Sequence, residues 1–374
     1  MIPVEISDPI NAQILAVSED RIQGFSRDPF GEIAARAELP IGVVTERIRA
    51  MLEAGVIRRV RQTLMATNLA PGSLVAWVVP EDKLQSAFDW MFQQDPFSGH
   101  VVIRSTDSAV TGSKYRLWTT LKVPVGFSMT KHCDYLCKAT GAERFLLMPA
   151  KMLFALGVGH VRRKGMEPGS KADELAEPMT PKVVHLTDHE WRVLVALKDE
   201  LRPDEISQNL WADRADAAGL TTGDFCAVAA DLSRRGIIGR FSTFLEHHKP
   251  LSTGERVTRF NALFHWAVPK GREEEAGKEV GRFDIMTHAY WREGGAEFGN
   301  VNVMGVAHGM EKDRVLAHKL AIDAHLESIG IPISYTNVFW GGRSEIKPSE
   351  ISPVAYAEWC ITQGLDPESM RDNT

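Results

Sequence analysis

The chain has 374 residues, too many for one ordinary hydrophobic core, and its length points to roughly two to four compact units. Hydrophobic residues at 44% and charged residues at 25% exclude a chain disordered over its bulk, and no apolar run approaches the ~20 residues needed to cross a bilayer. A net charge of −6 excludes a general electrostatic pull toward nucleic acid, although a basic pocket inside an acidic protein stays possible.

Along the chain, Ser7-Asp8 precedes an apolar-periodic stretch, as at the start of a capped helix. Further helices are expected over Phe30–Ala37 and Pro40–Ala54, where Pro40 suits a first turn and Gly55 a left-handed end. With a β-rich wing at Ile57–Met65, these elements read as a winged helix-turn-helix. A strand at Ser73–Val79 follows, then a helix over Pro80–Gln94 with Leu84, Ala87, Phe88 and Met91 on one face. Strands at Val101–Arg104 and Tyr115–Val123, a helix over Ser128–Thr140 and a strand at Glu143–Met148 complete a β-α-β-β-α-β order, the ferredoxin-like pattern. Residues 164–181, rich in Glu, Lys, Pro and Gly, read as a linker.

The second half repeats the first. Ser7-Asp8 recurs as Thr187-Asp188. Gly55-Val56-Ile57-Arg58-Arg59 recurs as Gly236-Ile237-Ile238-Gly239-Arg240. Val75-Ala76-Trp77-Val78-Val79-Pro80 recurs as Phe264-His265-Trp266-Ala267-Val268-Pro269, and His100-Val101-Val102-Ile103-Arg104 as His288-Ala289-Tyr290-Trp291-Arg292. Four blocks in one order at a nearly constant offset define an internal duplication. Elements are expected at Arg259–Val268, Gly271–Arg282, Ile285–Arg292, Asn300–Val306, Glu311–Ser328 and Ile333–Phe339. The fold class is therefore α+β, a tandem duplication of a helix-turn-helix-like segment and a ferredoxin-like domain. In chain order the parts are 1–66 and 67–163, the linker 164–181, then 182–248 and 249–347, and a C-terminal tail 348–374. The two copies are expected to pair as an intramolecular pseudo-dimer, with a further homodimer possible. Cys133, Cys137, Cys226 and Cys360 form no CxxC pair, and Met1–Glu5 lacks the start of a signal peptide; a reduced, cytoplasmic protein without a membrane anchor is expected.

Binding to DNA would require basic and amide side chains on the recognition helices. Val43–Glu53 offers Arg47 and Arg49 beside Glu46 and Glu53, whereas Thr222–Ser233 carries Asp224 and Asp231 and no Lys or Arg. A DNA partner is thus not expected. The chemistry-bearing residues concentrate elsewhere. Strand alternation puts His288, Tyr290 and Arg292 on one face, and Ala289 and Trp291 on the other. The second wing carries Arg240, His247 and His248, and the first carries Arg58, Arg59 and Arg61. Arginine grips carboxylates through two parallel hydrogen bonds, and histidine exchanges a proton near neutral pH. These residues suit an acidic ligand with a planar apolar body; a solvated face with a few ion pairs is the plainer reading. The first copy keeps His100 and Arg104 but has Val102 in the place of Tyr290. His132, Cys133 and Cys137 lie close on one helix, where ordinary packing is expected rather than a metal site.

The architecture resembles the Lrp/AsnC family of regulators. Several stretches are more similar to the siroheme decarboxylases, an enzymatic offshoot of that family found as two related subunits or one fused chain. The first half matches at Gly55-Val56-Ile57-Arg58-Arg59 and at Leu146-Leu147-Met148-Pro149-Ala150-Lys151 through Leu156-Gly157-Val158. The second half matches at Gly236–Phe241, at Leu245-Glu246-His247-His248-Lys249, at Leu263–Pro269, at His288–Arg292 and at Gly342-Arg343-Ser344-Glu345-Ile346-Lys347. The resemblance implies non-oxidative removal of carbon dioxide from acetate side chains of siroheme, giving 12,18-didecarboxysiroheme for haem synthesis. For that chemistry the residues suggest His288 as proton donor with His247 or His248 as partner. Arg240, Arg292, Tyr290, Trp291, Arg58, Arg59, Arg104 and His100 would bind substrate. No cofactor beyond the iron tetrapyrrole substrate, and no resident metal, is implied. An Lrp/AsnC-type regulator, or a haem or siroheme sensor without turnover, is the alternative.

Overall fold

The computed structural model describes residues 2–65, 69–157, 165–182, 184, 186–246, 254 and 257–372. It is an α+β protein of two compact units. One comprises Met1–Met65, Gly157–Gly165 and Val184–Arg259; the other comprises Ala66–Leu156, Met166–Val183 and Phe260–Thr374. Compaction therefore does not follow chain order. Each unit gathers the like parts of both copies.

The first unit contains α1 (Pro9–Ser18), β1 (Ile22–Gln23), α2 (Pro29–Arg36), α3 (Ile41–Glu53) and β2 (Ile57–Leu64). From the second copy it takes α6 (Asp188–Lys198), α7 (Leu210–Ala217), α8 (Thr222–Arg234) and β8 (Ile238–Leu245). Local chemistry sets the helix ends. The Asp8 carboxylate accepts from the N–H groups of Ile10 and Asn11, with Pro9 opening α1. Thr187 and Glu190 form a reciprocal capping box at α6. Gly55 and Gly236, the same position in the two copies, both follow a helix at φ +71°, a conformation that β-carbon-bearing residues rarely adopt. The two wings do not stand alone. β2 and β8 pair antiparallel and β1 adds to β8, so one three-stranded sheet is shared by the copies.

The second unit contains β3 (Gly72–Val78), α4 (Leu84–Gln93), β4 (Ser98–Ser105), β5 (Tyr115–Lys122), α5 (Met129–Thr140), β6 (Arg144–Pro149) and β7 (Met152–Leu156). The second copy adds β9 (Phe260–Ala267), α9 (Glu273–Gly281), β10 (Met286–Trp291), β11 (Val303–Gly309), α10 (Lys312–Ser328) and β12 (Tyr335–Ile346), followed by α11 (Pro353–Thr362). Their strands form one sheet in the order β6-β3-β5-β4-β12-β9-β11-β10-β7. The two edge strands, β6 and β7, are separated in the chain by Ala150 and Lys151 alone, so the sheet closes into a ring through the backbone. The closure is reciprocal. β12 pairs with β9 of its own copy through Tyr335–Gly341 and with β4 of the other through Trp340–Ile346. β6 pairs with β3, and its continuation β7 pairs with β10 of the other copy.

Each strand then has an outer face toward helices and an inner face toward the opposite sheet. Val75, Trp77, Val101, Ile103, Leu117 and Leu121 pack outward on Leu84, Phe88 and Met91 of α4 and Cys133 and Leu136 of α5. Phe264, Trp266, Met286, Ala289 and Val303 pack outward on Ala276, Val280, Val315 and Ile322. The crossing strand β7 sits on α9, where a β-carbon on Gly277 would meet the Phe154 ring at 2.0 Å; only glycine admits that approach. Ala76, Val102, Trp118 and Met148 from one copy meet Leu263, Ala267, Met304 and Phe339 from the other on the inner face.

Two expectations need correction. The segment from Pro348 is not a simple tail. Its helix α11 buries Tyr356, Trp359 and Cys360 against the helices of the first copy. There the Tyr356 hydroxyl meets His132 Nδ1 at 2.9 Å, and His132 Nε2 lies 3.5 Å from the buried Asp95 carboxylate. Part of the linker is also structured, with Lys171 bridging to Phe283 and Met179 to Leu153.

Candidate functional site

The inner face of the ring departs from an apolar core at a set of polar positions. Alternation along β10 turns His288, Tyr290 and Arg292 inward, with Ala289 on the helix side. His308 of β11 pairs with Asn261 of β9, and Gly341 of β12 pairs with both Asn261 and Arg104. These side chains join into one line. Arg104 Nη1 donates to Asn261 Oδ1 at 3.3 Å, which fixes the Asn261 amide and turns its Nδ2 toward His308 Nε2 at 3.1 Å. His308 Nδ1 lies 3.5 Å from the Thr287 hydroxyl, and His288 Nδ1 lies 3.1 Å from the same oxygen. The Thr287 hydroxyl donates its only proton to the Val306 carbonyl at 2.9 Å, so it accepts from the imidazoles. His288 consequently holds its proton on Nδ1 when neutral. Its ring stacks on Tyr290, with centroids 6.0 Å apart and planes at 16°. The Arg292 guanidinium lies 4.4 Å from the centre of the Tyr290 ring, and its Nη1 donates to the Met148 carbonyl.

The two inner arginines are symmetric partners. Met148 pairs with Leu74 as Phe339 pairs with Leu263, so Met148 and Phe339 occupy matching positions. Arg292 donates to the Met148 carbonyl, and Arg104 to the Phe339 carbonyl at 3.3 Å. Each guanidinium thus reaches from its own copy to the last strand of the other. Both are buried, and among the described residues neither forms an ion pair with a carboxylate; each also has an Nε without a hydrogen bond. Burial lowers the pKa of Arg104 to about 10 and lowers that of Arg292, where the Tyr290 ring partly offsets the cost. Both remain cations at neutral pH, which leaves two buried positive charges without a local counter-ion.

His100 faces inward on β4 and meets Ser344 of β12 at 2.8 Å. His265 is fully buried among Trp118, Phe298 and Phe339, and neither of its ring nitrogens has a hydrogen-bond partner. Burial, reinforced by Arg104, holds its pKa down to about 3, so the ring is neutral. Trp291 does not join the inner set. It lies on the helix side of β10, with Lys151 over its ring at 5.1 Å and its indole N–H on Glu293 at 3.0 Å. Strand alternation sets Trp291 on the face opposite His288, and the structure places it there. Thr287 and Asn261 were not singled out from the sequence. Their roles arise from cross-strand pairing, which local pattern does not encode.

The first unit holds a second, largely buried cationic cluster. The guanidinium groups of Arg59, Arg61 and Arg240 surround the Phe244 ring at 5.0, 5.5 and 5.8 Å. Glu200 pairs with Arg59 at 3.3 Å. Burial, then Arg59 and the neighbouring Arg240 and Arg58, press the Arg61 pKa down to about 10. This crowding of like charge suits an anion. His247 and His248 lie outside the described residues. The arginines of α3 are engaged within the unit: Arg47 donates to Pro3 and Asp8, and Arg49 to the carbonyls of Pro203 and Ile206. Asp231 of α8 pairs with Arg234 and Arg235. Neither helix presents the basic face that a DNA groove requires.

Among the described residues, no three His, Cys, Asp or Glu side chains converge as metal ligands, and no helix is long and apolar enough to cross a membrane. His132 and Cys133 are buried in the packing of the first copy.

No protein-family model matches the chain. Over 130 residues it is 27% identical to the siroheme decarboxylase beta subunit of Oleidesulfovibrio alaskensis, covering 35% of this chain and 77% of that protein. Over 114 residues it is 25% identical to the siroheme decarboxylase beta subunit of Desulfovibrio desulfuricans, covering 30% of this chain and 67% of that one. Two solved structures share the fold across nearly the whole chain. The siroheme decarboxylase NirDL matches with a TM-score of 0.64 at 17% identity, covering 94% of this chain and 98% of that one. The same enzyme in complex with an iron-uroporphyrin III analogue matches with a TM-score of 0.63, covering 95% and 99%. With both copies of the repeat in one polypeptide, the chain is similar in sequence to siroheme decarboxylase beta subunits over about a third of its length and shares the fold of the siroheme decarboxylase NirDL across nearly all of it.

Proposed function

We propose that this protein is a siroheme decarboxylase, a carbon–carbon lyase that removes carbon dioxide from two acetate side chains of siroheme to yield 12,18-didecarboxysiroheme. The observation that carries the proposal is the pair of buried arginines without carboxylate partners, Arg104 and Arg292, tied into one polar line that includes His288. Two uncompensated guanidinium groups facing inward are costly unless an anion completes them, and a tetrapyrrole bearing several carboxylates supplies that charge. The solved relative in complex with an iron-uroporphyrin III analogue adds support for a tetrapyrrole of this class.

For each acetate, one proton is taken up and one carbon dioxide leaves. The carbon–carboxylate bond breaks, and its electron pair ends in the new C–H bond of a methyl group. The difficulty is that the pair needs an acceptor while it forms. In this reading His288 Nε2 delivers the proton, and Thr287 keeps the Nδ1–H oriented away from the substrate. General acid catalysis of this kind contributes roughly 10²–10⁴-fold. Arg292 and Arg104 hold other carboxylates, so that remote binding energy positions the reacting group. Tyr290, stacked between His288 and Arg292, holds the imidazole and the guanidinium in one line. The arginine cluster at Phe244 is a second group of matching chemistry, with Arg58, Arg59 and Arg240 proposed for carboxylates. The substrate's own iron is part of the substrate, and no further cofactor is invoked.

The test is anaerobic incubation of the purified protein with siroheme, followed by absorbance and mass spectrometry. The expected product has lost two carbon dioxide units. A tetrapyrrole recovered with unchanged mass, whether released or tightly held, would overturn the proposal.

A further inference from the structure

The inner face contains a third cation that the repeat pattern alone does not mark. Lys122 is the last residue of β5. Trp118 of that strand is packed inward and Leu117 and Leu121 outward, so alternation turns Thr120 and Lys122 inward. Lys122 pairs with Gly72, and His308 pairs with Asn261; Thr120 pairs with Leu74, and Val306 with Leu263. Lys122 therefore occupies the first-copy position that His308 occupies in the second. Ring closure brings it to Arg292. The Arg292 guanidinium holds the carbonyl of Met148, Met148 pairs with Leu74, and Leu74 pairs with Thr120, two residues before Lys122. The two cations are close enough that Arg292 disfavours the charged lysine. Among the described residues, no carboxylate forms an ion pair with either. Two like charges held together without a counter-ion mark a place where an anion completes the structure.

We propose that Lys122 binds a carboxylate of the substrate together with Arg292, forming a two-cation clamp on the inner face. This inference rests on the tetrapyrrole reading above and names which residue of the first copy serves it. The ligand chemistry is a carboxylate on a planar macrocycle. The arginine fixes the carboxylate plane through its donor fork, and the ammonium supplies a point charge. Burial, with Arg292 beside it, lowers the Lys122 pKa to about 8. The clamp is consequently complete at pH 7 and loses one charge as pH rises through that value, so affinity falls on the alkaline side. The charged and titratable groups that face Lys122 are Arg292 from β10 and His100 from β4. The neighbouring positions on β3 and β6, Gly72, Leu74 and Met148, do not titrate.

The experiment is an absorbance titration of the full-length protein with an iron uroporphyrin between pH 6 and pH 9.5, alongside siroheme turnover. Wild type is expected to lose affinity through pH 8. Lys122→Met is expected to bind roughly tenfold more weakly at pH 7, as for loss of one charged hydrogen bond, and to lack the loss near pH 8. Subtracting the two profiles removes whatever the imidazoles contribute. Lys122→Arg keeps a permanent cation; it should bind tightly with no loss near pH 8, and it guards against a folding defect in the methionine variant. Wild-type affinity and pH profile retained by both variants would overturn the clamp while leaving the decarboxylase reading intact. Wild type that binds no iron tetrapyrrole would overturn that reading and the clamp with it.

Discussion

The inner face of the ring can be compared with itself, because the duplication places two versions of one site on one sheet. The second copy offers His288, Tyr290, Arg292 and His308; the first offers His100, Val102, Arg104 and Lys122 at the same register positions. What both retain is the arginine that crosses to the other copy's last strand. What differs is everything suited to moving a proton. His288 and His308 share the Thr287 hydroxyl and form one hydrogen-bonded line with Asn261, whereas His100 is held by Ser344 of the other copy. Tyr290 gives a stacking surface where Val102 gives an aliphatic one. In the proposed site, carboxylate capture would thus be duplicated, while proton chemistry would be developed on one side. A fused chain permits that divergence, since its two copies are free to accumulate different residues.

The largest effect expected separates these two roles. His288→Ala should lower the rate of decarboxylation by roughly 10²–10³-fold, within the range for removing a general acid, with little change in tetrapyrrole affinity. His100→Ala should lower it by less than about tenfold. Single-turnover kinetics with siroheme would compare them directly, and equal losses would break the assignment of proton transfer to the second copy. The next effect tests what the copies share. Arg104→Lys and Arg292→Lys each remove a donor fork while keeping the charge, and each should weaken binding by roughly 10- to 100-fold. Similar losses would fit the symmetric pair. A lysine variant at Arg104 with wild-type affinity, checked for an unchanged melting temperature, would confine substrate recognition to the second copy.

Much of the fold was legible because duplication makes each copy a control for the other. Helix signals such as Gly55 and Gly236, and the alternation around Trp77 and Trp266, could be read twice. The ring was not legible. Met152–Leu156 is a short apolar run without a period, and its partner, β10, lies in the other copy. For the same reason β12 runs on to Ile346 past the strand expected at Ile333–Phe339, since its second half pairs with β4. Strand β11 begins at Val303 rather than Asn300, because a short 3-10 turn over Ala296–Phe298 and a left-handed Gly299 occupy the approach. In the site, local alternation was enough to align His288, Tyr290 and Arg292 and to set Trp291 apart. Lys122, Thr287 and Asn261 gain their meaning from closure of the ring, and no spacing rule announces that. Tyr356, Trp359 and Cys360 did form an apolar stripe at helical spacing, a signal that the segment after Pro348 would dock.

A smaller effect would sharpen the role of Thr287. Thr287→Val preserves shape and removes the oxygen that both imidazoles address, so His288 loses the partner that sets its tautomer. A loss of about tenfold in the rate, with binding unchanged, is expected for one such hydrogen bond. An unaltered rate would show that His288 needs no orientation by Thr287, and the shared hydroxyl would then be a packing feature.

The smallest effect concerns stability and again sets one copy against the other. His265 stands where the first copy has Ala76, and both lie on the inner face. Two ring nitrogens without partners in an aromatic surround are a net cost to folding, about 1–3 kcal/mol for each buried polar group left unsatisfied. The sign of the pH effect follows from the folded pKa of about 3, well below the ordinary histidine value near 6.5. The unfolded chain takes up the proton first, so His265 costs further stability as pH falls below about 6.5, and the cost grows until its folded value is reached. His265→Leu removes both liabilities with an apolar side chain of similar bulk. It should raise resistance to denaturant by about 1 kcal/mol at pH 8 and by more at pH 5, measured by urea unfolding at the two values. A leucine variant less stable than wild type at both would mean that the imidazole is satisfied in solution, and that the second copy retains it there for structure.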